Sequence, residues 1–169
     1  GSCYNQKRQH QLLESLVCGL NDGLEIGFNA GDSAEIFLQK NINLTSCDMF
    51  KHEYSYHAKD YLQLKYPNQL KIVKGNSTET LPNHTGIYDF IYVDGNHSYE
   101  IARQDLKNIV KNTNKDTVVI IDDYVVEQKF IRSHNKGVKR ALTEFNEFQV
   151  LGQEDFGIGR GMIWGLIQH

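Results

Sequence analysis

Residues 88–100 read YDFIYVDGNHSYE, an apolar strand-like run followed directly by polar side chains. Asp94 ends the run, and His97 comes three residues later. In an open α/β sheet, ligands bind in the crevice outside the carboxyl ends of the strands. A carboxylate and an imidazole placed at one strand end are therefore candidates for chemistry.

On both sides of this segment, the chain alternates between strand-like runs and helical spacings. The runs are continuous in Val, Ile and Leu, which is typical of strands covered on both faces, as in a parallel sheet between two helix layers. Right-handed crossovers between such strands then follow. Strands are predicted at 23–28, 42–48, 70–76, 88–94 and 117–123, and helices at 5–20, 52–65, 98–111 and 136–146, with a further helix that carries Ala34, Phe37, Leu38 and Asn41 on one side.

The tail of the sequence predicts an antiparallel hairpin. FQVLG (148–152) and MIWGLI (162–167) are strand-like, and the Gly-rich segment EDFGIGRG (154–161) between them is typical of a turn. With the preceding elements, the pattern predicts an α/β fold, namely a Rossmann-like, doubly wound, mostly parallel seven-stranded sheet that ends in this hairpin. No repeat or Pro-rich linker interrupts the order, so one domain over residues 1–169 is expected.

Composition and charge limit the classes of partner. The 169 residues carry a net charge of −3 with no basic stripe, which argues against a nucleic-acid partner. No apolar run approaches the roughly 20 residues that cross a bilayer, and the amino end lacks the apolar core of a signal peptide. A soluble cytoplasmic protein with no membrane partner is therefore expected, and three widely spaced cysteines fit reduced thiols there. Gly1 and Ser2 are typical of residues left by an expression tag.

The turn after the first predicted strand, EIGFNAGDS (25–33), has the composition of a ligand-binding turn. Gly27 and Gly31 would let the backbone approach a ligand closely, and the next helix would offer unpaired N–H groups to an anionic part of it. The spacing is not the Gly-x-Gly-x-x-Gly of dinucleotide sites, which argues against NAD and FAD. Asp48 ends the next strand, where such folds place a carboxylate for ribose hydroxyls. An ordinary strand-to-helix turn and a helix cap remain open for these residues.

Four motifs occur in the order that one known family shows: EIGFNAGDS (25–33), GNSTETLP (75–82), VDGNHSYE (93–100) and IIDDY (120–124). Over residues 22–126 the chain resembles the class I S-adenosylmethionine-dependent methyltransferases, most closely their small-molecule and sugar O-methyltransferase branch. The resemblance implies S-adenosylmethionine as the cofactor. The residues implied to bind it are Glu25, Gly27 and Gly31 around the methionine part, with Ser33 in the same turn, Asp48 at the ribose hydroxyls, Asn76 and Ser77 beside the adenine, and Asp94.

The resemblance also implies a Mg²⁺ ion and a general base. Metal-dependent relatives hold Mg²⁺ with carboxylates that correspond to Asp94, Asp122 and Asp123, and the histidine of the same motif, His97, would be the base. Mg²⁺ prefers oxygen ligands and keeps several waters, so two or three carboxylates leave positions for substrate hydroxyls. Coordination lowers the pKa of such a hydroxyl, and His97 can accept its proton. Catalysis is assigned to Asp94 and His97, with a helix cap and a helix-start residue as the alternatives.

The implied activity is methylation of a hydroxyl on a sugar or other small molecule. Only one helix precedes the first strand and little chain follows the fifth, so the segments with which relatives enclose a substrate are short. Either the acceptor is large and presented from outside, or another chain or domain completes the site, as in a homo-oligomer or with a domain partner. Asn76 also stands where relatives often carry a carboxylate. Two other functions stay open, a metal-independent methyltransferase and a non-catalytic cofactor-binding or assembly domain of a larger protein.

Overall fold

A seven-stranded sheet forms the centre of the molecule. The computed structural model describes residues 3–125, 136–157 and 160–169, and of residues 3–5 it describes the backbone alone. The predicted tag remnant at 1–2 and the centre of the predicted Gly-rich turn at 158–159 lie outside the described residues. The strands are β1 (Asp22–Ile26), β2 (Asn43–Asp48), β3 (Leu70–Lys74), β4 (Phe90–Val93), β5 (Val118–Ile121), β6 (Phe148–Gly157) and β7 (Arg160–Ile167).

The strands lie in the order β3-β2-β1-β4-β5-β7-β6. The pairs from β3 to β5 are parallel, whereas β7 runs antiparallel to both β5 and β6. The sheet grows from β1 towards β3 on one side and from β4 outward on the other, so the strand order reverses between β1 and β4. The predicted doubly wound sheet with a terminal antiparallel hairpin is confirmed. Its carboxyl edge at this reversal is where such folds bind ligands.

Helices cover both faces of the sheet, and most of them begin and end within a few residues of the predicted bounds. The first helix begins earlier and ends earlier than predicted, since Gly19 adopts a left-handed backbone (φ 79°) in the turn that follows it. Among the described residues, no helix combines the length and the apolar character needed to cross a membrane. The helices are α1 (Cys3–Leu16), α2 (Asp32–Gln39), α3 (Glu53–Lys65), α4 (Ser77–Thr80), α5 (Tyr99–Ile109) and α6 (Lys136–Thr143), with 3₁₀ turns at Leu81–Asn83 and Val110–Asn112.

The apolar side chains of the strands divide between the two faces. On one face, Phe37 of α2 packs against Phe90 and Tyr92 of β4, with ring centroids 4.9 and 5.5 Å apart. On the other face, alternate residues of the same strands, such as Ile91 and Ile121, pack with α5 and α6. This double coverage explains the continuous Val/Ile runs in the sequence. Packing on both faces also fixes the positions of the strand ends, and therefore of the polar residues that follow them.

Candidate active site

An open cleft of about 750 Å³ lies at the carboxyl edge of the sheet. Its walls come from the turns and loops after β1, β2, β4 and β5, from the start of α4, and from α1. Glu25 and Gly31 do not line it. The predicted site residues that do line it are Gly27, Ser33, Asp48, Asn76, Ser77, Asp94, His97, Asp122 and Asp123.

The two glycines of the turn after β1 are required for different structural reasons. Gly27 has φ 101°, and a Cβ placed on it would lie 2.1 Å from the carbonyl oxygen of Asp94. Gly27 therefore lets the ends of β1 and β4 touch at the floor of the cleft. Gly31 has φ 81° and begins α2, and its Cβ would lie 2.9 Å from a methyl group of Leu62 on α3. Glycine is required at position 31 chiefly by this left-handed backbone, and the close approach to α3 adds to the requirement.

Glu25 lies beneath the cleft and holds one of its lining residues. The side chain is fully buried, and its two oxygens accept hydrogen bonds of 2.5 Å from the hydroxyls of Ser33 and Ser46. Burial raises the pKa of Glu25 to about 7, although the two serine hydroxyls act in the opposite direction. Ser33 lines the cleft, so Glu25 contributes to it by orienting that hydroxyl.

Asp48 organises the turn that it faces. One carboxylate oxygen, Oδ2, accepts the backbone N–H groups of Phe28 and Asn29 at 2.9 and 3.1 Å, and Oδ1 accepts that of Phe50 at 2.6 Å. Asn29 and Phe50 both have left-handed backbones, with φ 48° and 53°. Such conformations are unfavourable for residues other than glycine unless their surroundings hold them. The carboxylate thus joins the end of β2 to the turn after β1.

The start of α4 also borders the cleft. The side-chain oxygen of Asn76 caps this short helix by accepting the N–H of Thr78 at 3.2 Å, which leaves the NH₂ group of Asn76 as a donor. Ser77 hydrogen-bonds Asp105, a residue of α5 that is only 1% exposed. Burial raises the pKa of Asp105 to about 6, and the Ser77 hydroxyl opposes that shift. One oxygen of Asp105, Oδ1, has no hydrogen-bond partner among the described residues.

Asp94, His97 and Asp123 meet on the cleft wall. One ligand atom from each lies within 4.8 Å of the others, and His97 Nε2 is 3.3 Å from Asp123 Oδ2. Burial raises the pKa of Asp94 well above its usual range, and the neighbouring carboxylates of Asp122, Asp123 and Glu25 raise it further. Asp123 has a left-handed backbone, φ 52°. Carboxylates crowded in this way favour either a bound cation or a shared proton.

Asp122, the neighbour of Asp123, also lines the cleft, but hydrogen bonds to other residues engage its carboxylate. Its Oδ2 accepts hydrogen bonds from the Tyr92 hydroxyl and from Gln9 Nε2, each at 2.6 Å, while Oδ1 accepts the N–H of Asp123 at 2.8 Å. Asp122 is 8% exposed, and burial raises its pKa to about 6 despite these hydrogen bonds. The acidic pair predicted as metal ligands is therefore divided. Asp123 lies with Asp94 and His97, whereas Asp122 accepts the backbone N–H of Asp123 and so supports the turn after β5.

The cluster of Asp94, His97 and Asp123 fits a divalent cation. Two carboxylates at this spacing suit Mg²⁺, which binds through a few protein oxygens and keeps the rest of its shell as water. Imidazole is a more typical ligand of Zn²⁺ or Fe²⁺. The set therefore fits Mg²⁺ when the carboxylates alone coordinate, with His97 left to exchange protons.

Several residues in or near the cleft were not predicted from the sequence. Arg160, at the start of β7, lines the cleft, and its positive charge partly offsets the raised pKa of Asp94 and of Asp122. Asp105 does not line the cleft but interacts with Ser77, which does, and its signal in the sequence is a carboxylate within the inward-facing stripe of α5. The polar residues of α1 that line the cleft also follow a visible helical spacing; these residues are Gln6, Gln9 and His10, followed by Leu13.

The chain is similar to known proteins both in sequence and in structure. A family model described as a methyltransferase domain matches residues 24–124. A search of curated protein sequences gives no match. A candidate O-methyltransferase from Klebsiella pneumoniae superposes with a TM-score of 0.77 at 18% identity, covering 96% of this chain and 80% of that one.

Two further solved structures share the fold. A methyltransferase of Podospora anserina bound to S-adenosylhomocysteine gives a TM-score of 0.74 at 15% identity, covering 98% of this chain and 85% of the other. CalS11, a TDP-rhamnose 3′-O-methyltransferase of calicheamicin biosynthesis, gives 0.71 at 16% identity, covering 95% and 79%. At sequence identities this low, the similarity to these structures shows a shared fold and nothing more.

Proposed function

Because the chain belongs to the methyltransferase-domain family, it is an S-adenosylmethionine-dependent methyltransferase, and we propose that it methylates a hydroxyl of a sugar or other small molecule with the help of Mg²⁺. The observation that carries this proposal is the cluster of Asp94, His97 and Asp123, which borders the same cleft as Gly27 and Asp48. Methyl transfer requires donor and acceptor to be held side by side in one cavity. A candidate cation site and a base beside the cofactor turn meet that requirement.

The cofactor end of the cleft offers matching polar groups. When bound, S-adenosylmethionine would supply a methyl group on a positively charged sulfur, which is already activated for displacement. Ser33 would border the methionine part, held in place by Glu25. Asp48 has accepted one N–H at Oδ1 and keeps capacity there for a ribose hydroxyl. The NH₂ group of Asn76 and the adjacent Ser77 would face the adenine.

Asp94 and Asp123 would hold the metal ion. Burial and neighbouring carboxylates disfavour the charged form of Asp94, so a cation at this point would stabilise the ionised cluster. When bound, Mg²⁺ would supply positive charge that lowers the pKa of an acceptor hydroxyl. Asp122 would support the site indirectly, by holding the backbone N–H of Asp123.

His97 would act as the general base. The Asp123 carboxylate, 3.3 Å from Nε2, would orient the imidazole and would stabilise the imidazolium that forms when His97 accepts the hydroxyl proton. When bound, the cofactor would supply the methyl group for the acceptor oxygen, and His97 would take up the proton that this oxygen loses. Support for a sugar-like acceptor comes from the polar cleft wall and from the activity of the TDP-rhamnose methyltransferase that shares the fold.

Calorimetric titration with S-adenosylhomocysteine, with and without Mg²⁺, followed by transfer assays with labelled cofactor, tests the proposal. TDP-rhamnose and catechol serve as acceptor probes for the sugar and aromatic classes. His97→Ala should lower turnover about 10²- to 10⁴-fold with unchanged S-adenosylhomocysteine affinity, since a base acts on the acceptor. His57→Ala, exposed on α3, is the control. Absence of S-adenosylhomocysteine binding in both conditions would refute the cofactor assignment.

A metal-independent methyltransferase is the second candidate. Asp122 is engaged by Tyr92 and Gln9, which leaves two carboxylates for a cation, and Arg160 already offsets part of their charge. In this case Asp94 would serve the cofactor alone. Turnover that persists undiminished in EDTA supports this candidate, whereas turnover restored by added Mg²⁺ supports the first.

A further inference from the structure

One face of α1 changes character along its length. Leu13, on the carboxyl half, and Val17, directly after the helix, are 2% and 0% exposed and belong to the core under the sheet. Gln6, Gln9 and His10, on the amino half, line the cleft together with Leu13. These four positions have the i, i+3, i+4, i+7 spacing of one helical face. The helix therefore leaves the core and continues as a polar wall of the cleft.

Gln9 connects this wall to the acidic end of the cleft. Its side-chain NH₂ group donates to Asp122 Oδ2 at 2.6 Å, across 113 residues of sequence. Asp122 is 8% exposed, so the hydrogen bond is made to a largely buried carboxylate. Hydrogen bonds to charged groups are stronger than those between neutral groups, and a buried acceptor that loses its donor is costly.

The contact continues towards the candidate metal ligands. Asp122 uses its other oxygen to accept the N–H of Asp123 at 2.8 Å, and Asp123 holds a left-handed backbone there, φ 52°. The orientation of the Asp123 carboxylate depends on that backbone. Gln9, Asp122 and Asp123 thus form one connected series from α1 to the cation cluster.

Other contacts of α1 hold it to the rest of the fold without touching the cleft floor. Arg8 pairs with Glu154 on β6 and lies over the ring of Phe156, and Glu14 pairs with Lys40 beyond α2 at 3.0 Å. The pairs of Arg8 and Glu14 are partly exposed, and exposed ion pairs contribute little. Among the described residues of α1, Gln9 is the one whose side chain hydrogen-bonds Asp122.

We propose that α1 forms the acceptor-side wall of the active site and that Gln9 is the positioning residue that fixes this wall to Asp122, and through it orients Asp123. The effect on metal binding rests on the proposed function, whereas the anchoring of α1 does not. Because the wall presents carboxamide and imidazole groups, the acceptor placed against it offers hydrogen-bonding groups of its own.

Gln9→Glu is the sharpest test, because it keeps the shape of the side chain and replaces the donor by a like charge facing Asp122. Gln11→Glu makes the same change on an exposed position of α1 outside the cleft and is the matched control. Two quantities are measured for both variants. These are the Mg²⁺ affinity of the S-adenosylhomocysteine complex by calorimetry, and the hydrogen exchange of the amides in residues 7–13.

Gln9→Glu should weaken Mg²⁺ binding about 10- to 100-fold, the usual effect of removing a partner that orients a ligand, with S-adenosylhomocysteine affinity measured without Mg²⁺ unchanged. Its α1 amides should exchange about 10-fold faster than those of the Gln11 control. Equal Mg²⁺ affinity and equal exchange in the two variants would overturn the proposal. If the wild-type complex binds no Mg²⁺, the metal part of the proposed function fails, and the exchange rates alone decide whether Gln9 anchors α1.

Discussion

Gly27 shows how closely the turn after β1 and the segment after β4 are packed together. Its backbone has φ 101°, and a side chain there would meet the Asp94 carbonyl at 2.1 Å. Any side chain at this position would push apart the ends of β1 and β4. The sequence pattern predicted a glycine that admits a ligand, whereas the structure adds a contact between two strands that each carry site residues.

Gly27→Ala should therefore lower the free energy of unfolding by about 2–5 kcal/mol, from the left-handed backbone and the overlap combined. Urea unfolding measures the loss, and S-adenosylhomocysteine affinity should fall with it. Gly19→Ala separates the two causes, because Gly19 also has a positive φ, 79°, but nothing lies within 4 Å of its added Cβ. That control should lose about 1–2 kcal/mol. Equal losses in the two variants would contradict the close-approach explanation.

At the scale of elements, the turn after β1 and the end of β2 behave as one unit. Asp48 provides the connection, since its carboxylate accepts three backbone N–H groups around the two left-handed residues Asn29 and Phe50. The turn therefore has its shape before any ligand arrives. A preformed turn of this kind lowers the ordering cost of binding.

Asp48→Asn should disturb this unit, because the amide replaces one accepting oxygen by a donor that faces backbone N–H groups. We expect a loss of about 1.5–3 kcal/mol in the free energy of unfolding and a weaker affinity for S-adenosylhomocysteine. Asp22→Asn is the control, since Asp22 accepts one long, exposed hydrogen bond of 3.2 Å from Asn43 at the other end of β1. A loss in Asp48→Asn no greater than in this control would show that the turn does not need the carboxylate.

The order and type of the elements could be predicted from the sequence because their causes are local. Continuous Val/Ile runs, helical stripes and Gly-rich turns predicted the sheet, its terminal hairpin and the edge where polar residues gather. The end of α1 was predicted too late, at residue 20 instead of Leu16. Leu20 continues the apolar spacing of the helix, although Gly19 already lies in the turn that follows it.

The arrangement within the site could be predicted only in part. Motif order indicated Asp94, His97 and Asp123, which do come together. The separation of Asp122 from Asp123 could not be predicted, because it depends on Gln9 and Tyr92, which contact Asp122 only after folding. The burial of Glu25 could not be predicted either. The sequence indicated a residue that lines the cleft, whereas in the structure its side chain is buried and accepts a hydrogen bond from Ser33.

At the scale of the whole molecule, buried carboxyl groups make stability depend on pH. Burial raises the pKa of Glu25 from 4.5 to about 7, and that of Asp105 and of Asp122 from 3.8 to about 6. Between these values the folded state binds protons that the unfolded state has released. The free energy of unfolding should therefore rise as the pH falls from about 8 to about 5, by on the order of 1 kcal/mol per group.

Urea unfolding across this pH range, in EDTA, measures the effect. Asp105→Asn should be more stable than the wild type at about pH 8 and lose most of that advantage near pH 5, because it removes one of the carboxyl groups whose pKa is raised in the folded state. Asp116→Asn, on an exposed turn, should follow the wild type at every pH. Stability that falls steadily as the pH is lowered from 8 would contradict the raised pKa values.

The place of β7 between β5 and β6 has a consequence for biogenesis. Ile120 pairs with Trp164, so the Val/Ile-rich edge of β5 stays open on the ribosome until residues 160–167 emerge. Open strand edges of this kind pair readily with other chains. Arg160 reaches the cleft with the same strand. We therefore expect nascent chains to associate readily until β7 inserts, and the same late step that closes the edge also completes the wall of the cleft.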